Sequence, residues 1–225
     1  AGVQKWFSTG AVSHEVNLAA DYFSMDFENG DTRYAGGTSN LYNPRPTPEP
    51  GLPTRPSTKD NTENRFSGIA LSDTLGFMED RLLVTVGGRW QRIIVDDWSD
   101  GVKQPTAYDE EKFSPSAGVL FKATDQLSLY ANYMEGLSQG KIAPSGTANQ
   151  NDIFPPFVSR QAEAGAKYDM GKFALTAAVF RIKQPAYDTA DDGNFGPNGK
   201  RVNDGVELNV FGEPIDGVRL LGGVM

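Results

Sequence analysis

Polar and apolar residues alternate with a period of two along most of this chain. In residues 14–22, His14, Val16, Leu18, Ala20 and Tyr22 share one face, and Glu15, Asn17, Ala19 and Asp21 share the other. Period two is the mark of a β-strand with one apolar and one wet face. Residues 160–168 repeat it, with Ala162, Ala164, Ala166 and Tyr168 against Gln161, Glu163, Gly165 and Lys167. Residues 201–211 do the same, with Val202, Val206, Leu208 and Val210 against Arg201, Asn203, Glu207 and Asn209. The strand-like segments are joined in two ways. Short turns fall at 9–12, 78–81, 123–126, 169–172 and 212–217, and long polar connections at 28–61, 97–110, 136–159 and 185–200. In an up-and-down antiparallel sheet, successive turns lie at opposite ends. All short turns then sit at one end and all long ones at the other, the pattern of a transmembrane β-barrel with periplasmic turns and extracellular loops.

A few positions test that pattern. In 173–183, Phe180 and Ile182 oppose Arg181 and Lys183. A cation on a lipid face costs about 2–4 kcal/mol at the midplane, so Arg181 and Lys183 are expected to point into the lumen. Asp73 falls in line with Ile69, Leu71, Leu75 and Phe77. Either a bulge resets the register there, or Asp73 lies near the rim. The rim also suits Asp204, close to a long connection. The facing of 82–96 stays open, because Gly87-Gly88 interrupts it and both faces carry apolar residues. The pattern predicts about ten strands of roughly 9–15 residues.

Composition adds limits. The chain has 225 residues, a net charge of -8 and no Cys. There is no disulfide framework or thiolate metal site, and the acidity argues against nucleic acid as a partner. Mean hydropathy is negative, which a barrel allows because only alternate residues meet lipid. No apolar run approaches the roughly 20 residues of a helical span. There is no signal-peptide pattern at the start. The chain opens and closes within strand-like segments, so it is expected to be part of a longer protein. Trp6, Phe7, Tyr22, Phe23, Trp90, Trp98, Phe121, Tyr130, Tyr133 and Tyr168 fall near predicted strand ends. They suit aromatic girdles, or equally ordinary β-propensity. Residues 40–58 are proline-rich, which excludes helix and inner strand and favours an extended surface loop.

Five stretches in order carry a family resemblance. The strongest is 128–157, with Ser128-Leu129-Tyr130-Ala131-Asn132-Tyr133, then Ile142-Ala143-Pro144 and Asp152-Ile153-Phe154-Pro155-Pro156. The others start at Thr9-Gly10-Ala11, Ser67-Gly68-Ile69, Phe113-Ser114-Pro115 and Asp204-Gly205-Val206. Together they resemble the barrel of TonB-dependent ferric-siderophore receptors of the Gram-negative outer membrane. The resemblance implies an all-β, antiparallel up-and-down meander, a slice of a 22-stranded transmembrane barrel. Residues 1–225 are then a partial barrel domain, without the plug domain and the final strands. It further implies ferric siderophore as ligand and outer-membrane lipid as surroundings. Energy would come from the TonB–ExbB–ExbD complex, through an N-terminal region not in this sequence. No cofactor is implied.

The only His is His14, beside a short turn, with Ser13 on the opposite face. A nucleophile must lie within hydrogen-bond reach of its base, so a catalytic site and an enzyme are not expected. Paired acids at Asp96-Asp97, Asp109-Glu110-Glu111 and Asp191-Asp192 offer oxygen ligands to Ca2+, or are solvated loop charges. For a siderophore, aromatic rings stack on planar groups and Arg complements an anionic chelate. Arg33, Tyr34, Tyr42, Arg45, Tyr108, Phe154, Phe157, Tyr187 and Phe195 fall on the long connections. Each either meets ligand in the outer vestibule or packs its own loop. Two other classes stay open: a passive porin-like channel, and a soluble β-sandwich binding module with a second sheet on its apolar face.

Overall fold

A computed structural model describes residues 1–30, 39–44, 60–105 and 107–225. The strands are β1 (Gly2–Thr9), β2 (Val12–Asn29), β3 (Asp60–Phe77), β4 (Leu82–Ser99), β5 (Val102–Lys103) and β6 (Tyr108–Lys122). They continue with β7 (Leu127–Ser138), β8 (Phe157–Asp169), β9 (Phe173–Thr189), β10 (Phe195–Ile215) and β11 (Val218–Val224). All lie in one antiparallel sheet whose order follows the sequence, with the two-residue β5 on the end of β4. The sheet does not close, and β1 and β11 are its edges. No helix among the described residues is long and apolar enough to cross a membrane, which says nothing about strands.

Several strands are longer than the sequence pattern predicts, up to 21 residues in β10. Consequently the 185–200 connection is mostly strand. β9 runs to Thr189 and β10 resumes at Phe195. Pro185 and Pro197 hid this, because a proline lacks the donor that a strand ladder uses. The chain absorbs Pro197 where the β9–β10 register shifts, between Gly196 and Gly199. At the opposite end, Gly10, Gly171 and Gly217 take positive φ of 63°, 80° and 83° in the short turns. Glycine reaches this region without a Cβ penalty.

Cross-strand register fixes the two faces. One runs through Leu18, Leu71, Val84, Val119, Leu129, Ala166, Ala177 and Leu208. It is unpartnered: Val206 is 58% and Leu208 50% exposed. The other face carries Glu15, Asn17, Asp21, Arg89, Lys112, Asn132, Glu163, Asn203 and Glu207. A single sheet, apolar on one side and polar on the other, fits lipid outside and water inside. The open facing of β4 resolves the same way: Val84 and Trp90 face outward, Arg89 and Gln91 inward. The aromatic candidates divide. Phe7, Tyr22, Trp90, Trp98, Phe121, Tyr133 and Tyr168 share the outward parity, whereas Trp6, Phe23 and Tyr130 lie on the polar face.

Arg181 and Lys183 correct the sequence expectation. Arg181 opposes Ala162 and Asp204, and Lys183 opposes Arg160 and Val202, so both lie on the outward face. Their height explains why this is tolerated. Arg181 lies eight residues beyond Phe173, about 26 Å along the strand, or roughly 19–22 Å of height in a tilted barrel. That is the upper part of an apolar band about 25 Å tall, not its midplane. Arg181 also donates from Nε and Nη2 to the two carboxylate oxygens of Asp204, at 2.6 and 2.9 Å. Arg92–Asp109 and Arg160–Glu135 also pair on the outward face, in the halves of their strands away from the short turns, at 2.6 and 2.9 Å. A belt of matched charges thus bounds the apolar face.

Near the short turns, Asp73 sits in continuous register on both sides, so no bulge is present there. It is the partner of His14, with Nδ1 2.8 Å from Asp73 Oδ2. His14 Nε2 contacts Thr9 Oγ1 at 2.6 Å, and Phe7 stacks on the ring. The chain Thr9–His14–Asp73 pairs both imidazole nitrogens and Asp73 Oδ2 inside an apolar face, where an unpaired group is costly, and leaves Asp73 Oδ1 without a partner.

Aromatic rings on the polar face cover glycines of the next strand. Tyr130 lies over Gly165, and its hydroxyl donates to Glu163 Oε1 at 2.7 Å. A Cβ at Gly165 would lie 2.8 Å from the Tyr130 ring and 2.6 Å from the Ala177 carbonyl oxygen. Gly165→Val is therefore expected to destabilise the intact receptor by about 1–3 kcal/mol, the usual cost of overpacking. Urea titration of the receptor in lipid vesicles measures this. An unchanged midpoint would show that the ring moves aside freely.

Candidate ligand vestibule

The extracellular end holds a vestibule wall built from two connections. The β7–β8 loop, residues 139–156, folds into a small hairpin of its own. Ile142 bridges Ile153. Ala143 N donates to Asp152 O at 2.9 Å, and Phe154 N to Lys141 O at 3.0 Å. The loop is then fixed from two sides. From β6, the fully buried Tyr108 accepts the Gly140 N–H on its hydroxyl at 3.1 Å. From the β9–β10 hairpin, Asn149 reads the backbone of Phe195 twice. Its Nδ2 donates to Phe195 O at 3.0 Å, and its Oδ1 accepts from Phe195 N at 2.8 Å.

Four rings meet at this junction. Phe154 packs edge-on against Tyr187 and Phe195, with centroids 5.3 and 5.9 Å apart. Tyr187 also contacts Phe157 at 6.2 Å and Phe195 at 5.7 Å. All four are half-buried, leaving part of each ring accessible. Aromatic pairs at these spacings add about 0.5–1.5 kcal/mol each beyond the area they bury. Next to the cluster, Gln184 Nε2 donates to Ser159 Oγ at 3.1 Å. At the hairpin tip the side-chain and backbone amides of Asn194 hold the Asp192 carboxyl below the usual carboxylate range.

The structure thus brings together Phe154, Phe157, Tyr187 and Phe195. Tyr108 is adjacent but inaccessible, and its hydroxyl holds the loop. Tyr42 stands apart and is 94% exposed. Arg33, Tyr34 and Arg45 lie outside the described residues. Asn149 and Gly140 were not legible beforehand, since a loop Asn or Gly has no spacing that marks it. A Cβ on Gly140 would fall on the main-chain oxygens of Phe154 and Pro155. Gly140→Ala is expected to unseat the loop, seen as faster protease cleavage within 139–156 of the intact receptor. Equal cleavage rates would contradict the tight seat.

The paired acids do not form a cation site. Asp96 is 5% exposed, and pairs with Arg65 at 2.8 Å and Lys103 at 2.7 Å. It is a buried ion-paired carboxylate rather than a solvated one. Asp97 accepts from Thr62, and Asp109 pairs with Arg92. No group of three or more His, Asp or Glu among the described residues could hold a metal ion.

Known proteins show the same architecture. The ferrichrome receptor FcuA of Yersinia enterocolitica is 34% identical over 98% of this chain. The ferrioxamine B receptor of Salmonella typhimurium is 28% identical over 94%. The crystal structure of BauA, the ferric preacinetobactin receptor from Acinetobacter baumannii, superimposes with a TM-score of 0.81 at 32% identity, over 99% of the chain. The chain covers 30% of each of the first two proteins and 34% of the third, about a third of their length. A model of the family described as TonB dependent receptor-like, beta-barrel matches residues 3–224. This is a family of transport receptors rather than enzymes, and the chain belongs to it.

Proposed function

We propose that the intact protein is a receptor in the outer membrane of a Gram-negative bacterium that binds ferric siderophores and imports them. One observation carries this reading most: the braced aromatic wall at the end of the sheet opposite the short turns. Planar hydroxamate or catecholate groups stack on such rings. Three relatives, receptors for ferrichrome, ferrioxamine B and ferric preacinetobactin, support it. The iron is cargo held by its chelator, so the protein needs no metal ligands and no cofactor of its own. In the whole receptor the polar face surrounds a plug domain supplied by another part of the protein. The TonB–ExbB–ExbD complex supplies the energy through that part.

Iron uptake tests this. A Gram-negative strain stripped of its own siderophore receptors, and expressing the full-length protein, is expected to accumulate radiolabelled ferric hydroxamate or ferric catecholate. Uptake should stop when TonB is deleted. Uptake that persists without TonB would identify a passive channel instead.

A further inference from the structure

Between the β7–β8 loop and the β9–β10 hairpin lies a set of contacts additional to the hydrogen bonds that close each segment on itself. Besides the two Asn149–Phe195 bonds, Ala148 N donates to Gly193 O at 2.8 Å. Phe154 packs edge-on against both Tyr187 and Phe195, one ring from each strand of the hairpin. Asn149 is half-buried and uses both its donor and its acceptor on one main-chain residue. Both hydrogen bonds can be made only with the two segments in register. An Asn amide offers this complementarity, whereas Asp lacks the donor.

We infer that Asn149 is a positioning residue that joins the two extracellular connections into one body, and that they meet ligand together rather than closing on it separately. The inference rests on the ferric-chelate reading above. It changes what the aromatic wall is: a preassembled surface, with little ordering left to oppose binding.

A cysteine pair tests it in the full-length receptor. A Cβ built on Gly193 lies 3.7 Å from the Ala148 Cβ, within the range a disulfide spans. Gly193 has φ of 82°, which strains any other residue. The reduced Ala148→Cys/Gly193→Cys receptor is therefore the reference for its oxidised form. Oxidation should crosslink the pair rapidly and leave binding and uptake of ferric chelate within about twofold. Loss of uptake on oxidation, recovered on reduction, would show that the connections must part and would overturn the inference. Asn149→Ala in the same background should slow crosslinking at least severalfold, a readout that needs no ligand. It should also weaken ferric-chelate binding about tenfold, and the disulfide should restore binding. Unchanged crosslinking, or failure of the disulfide to restore affinity, would overturn the role of Asn149. A receptor that crosslinks as expected but binds no ferric chelate would fail the proposed function and leave the mechanical coupling standing.

Discussion

Leu208→Arg is expected to destabilise the membrane-folded receptor by about 2–4 kcal/mol, whereas Asn209→Arg, one residue on, is expected to change stability little. The argument is parity. Leu208 opposes Ala177 on β9, within the apolar band and well below the Arg181–Asp204 pair. It is half exposed, with no protein packed over it. A guanidinium there must shed water into hydrocarbon, and no carboxylate faces it from the opposing strand. Asn209 opposes Thr176 on the polar side, and its Nδ2 donates to Glu207 Oε1 at 2.8 Å. Arginine at that site gains an acidic neighbour and keeps its water. Equilibrium unfolding in lipid vesicles measures both. Equal costs would mean that both faces meet the same solvent, and the barrel assignment would fail.

The second large effect concerns ligand. The triple variant Phe154→Ala/Tyr187→Ala/Phe195→Ala removes three rings that pack on one another at 5.3–5.9 Å. Each aromatic contact is worth about 0.5–1.5 kcal/mol beyond area. Losing three should weaken binding by roughly 2–4 kcal/mol, or ~30- to 1000-fold. The rings lie above the belt of ion pairs, in the extracellular extensions of the strands, so the transmembrane sheet should keep its unfolding midpoint. Titration of the purified variant beside the parent gives the affinity. An unchanged affinity would reduce the cluster to loop packing.

Much of this architecture was legible in residues alone. The period-two pattern of 14–22, 160–168 and 201–211 gave strand, facing and partner order, because one buried or lipid-facing side specifies register strongly. The short turns were legible as brief breaks between period-two segments, two of them, 78–81 and 123–126, without any glycine. What failed did so for physical reasons. The midplane cost of a cation points Arg181 inward, but its height and its Asp204 partner emerge only from strand length and register. The β9–β10 connection looked like a loop because Pro185 and Pro197 break the pattern, yet the shift between Gly196 and Gly199 absorbs the break. In the vestibule, the aromatic residues were visible as a class. Their division into a four-ring cluster and a buried Tyr108 was not, since it depends on where the 139–156 loop folds. Asn149 was invisible for the same reason: its partner is the backbone of Phe195, and backbone partners leave no sequence mark.

The most direct test is a binding titration of the intact receptor, in detergent, with ferric and iron-free siderophores of the hydroxamate and catecholate classes. The account predicts saturable binding of at least one ferric complex with Kd below about 1 μM, weaker binding of its iron-free form, and loss of that binding in the triple aromatic variant. Absence of saturable binding to either class, or equal affinity in the triple variant, would contradict it.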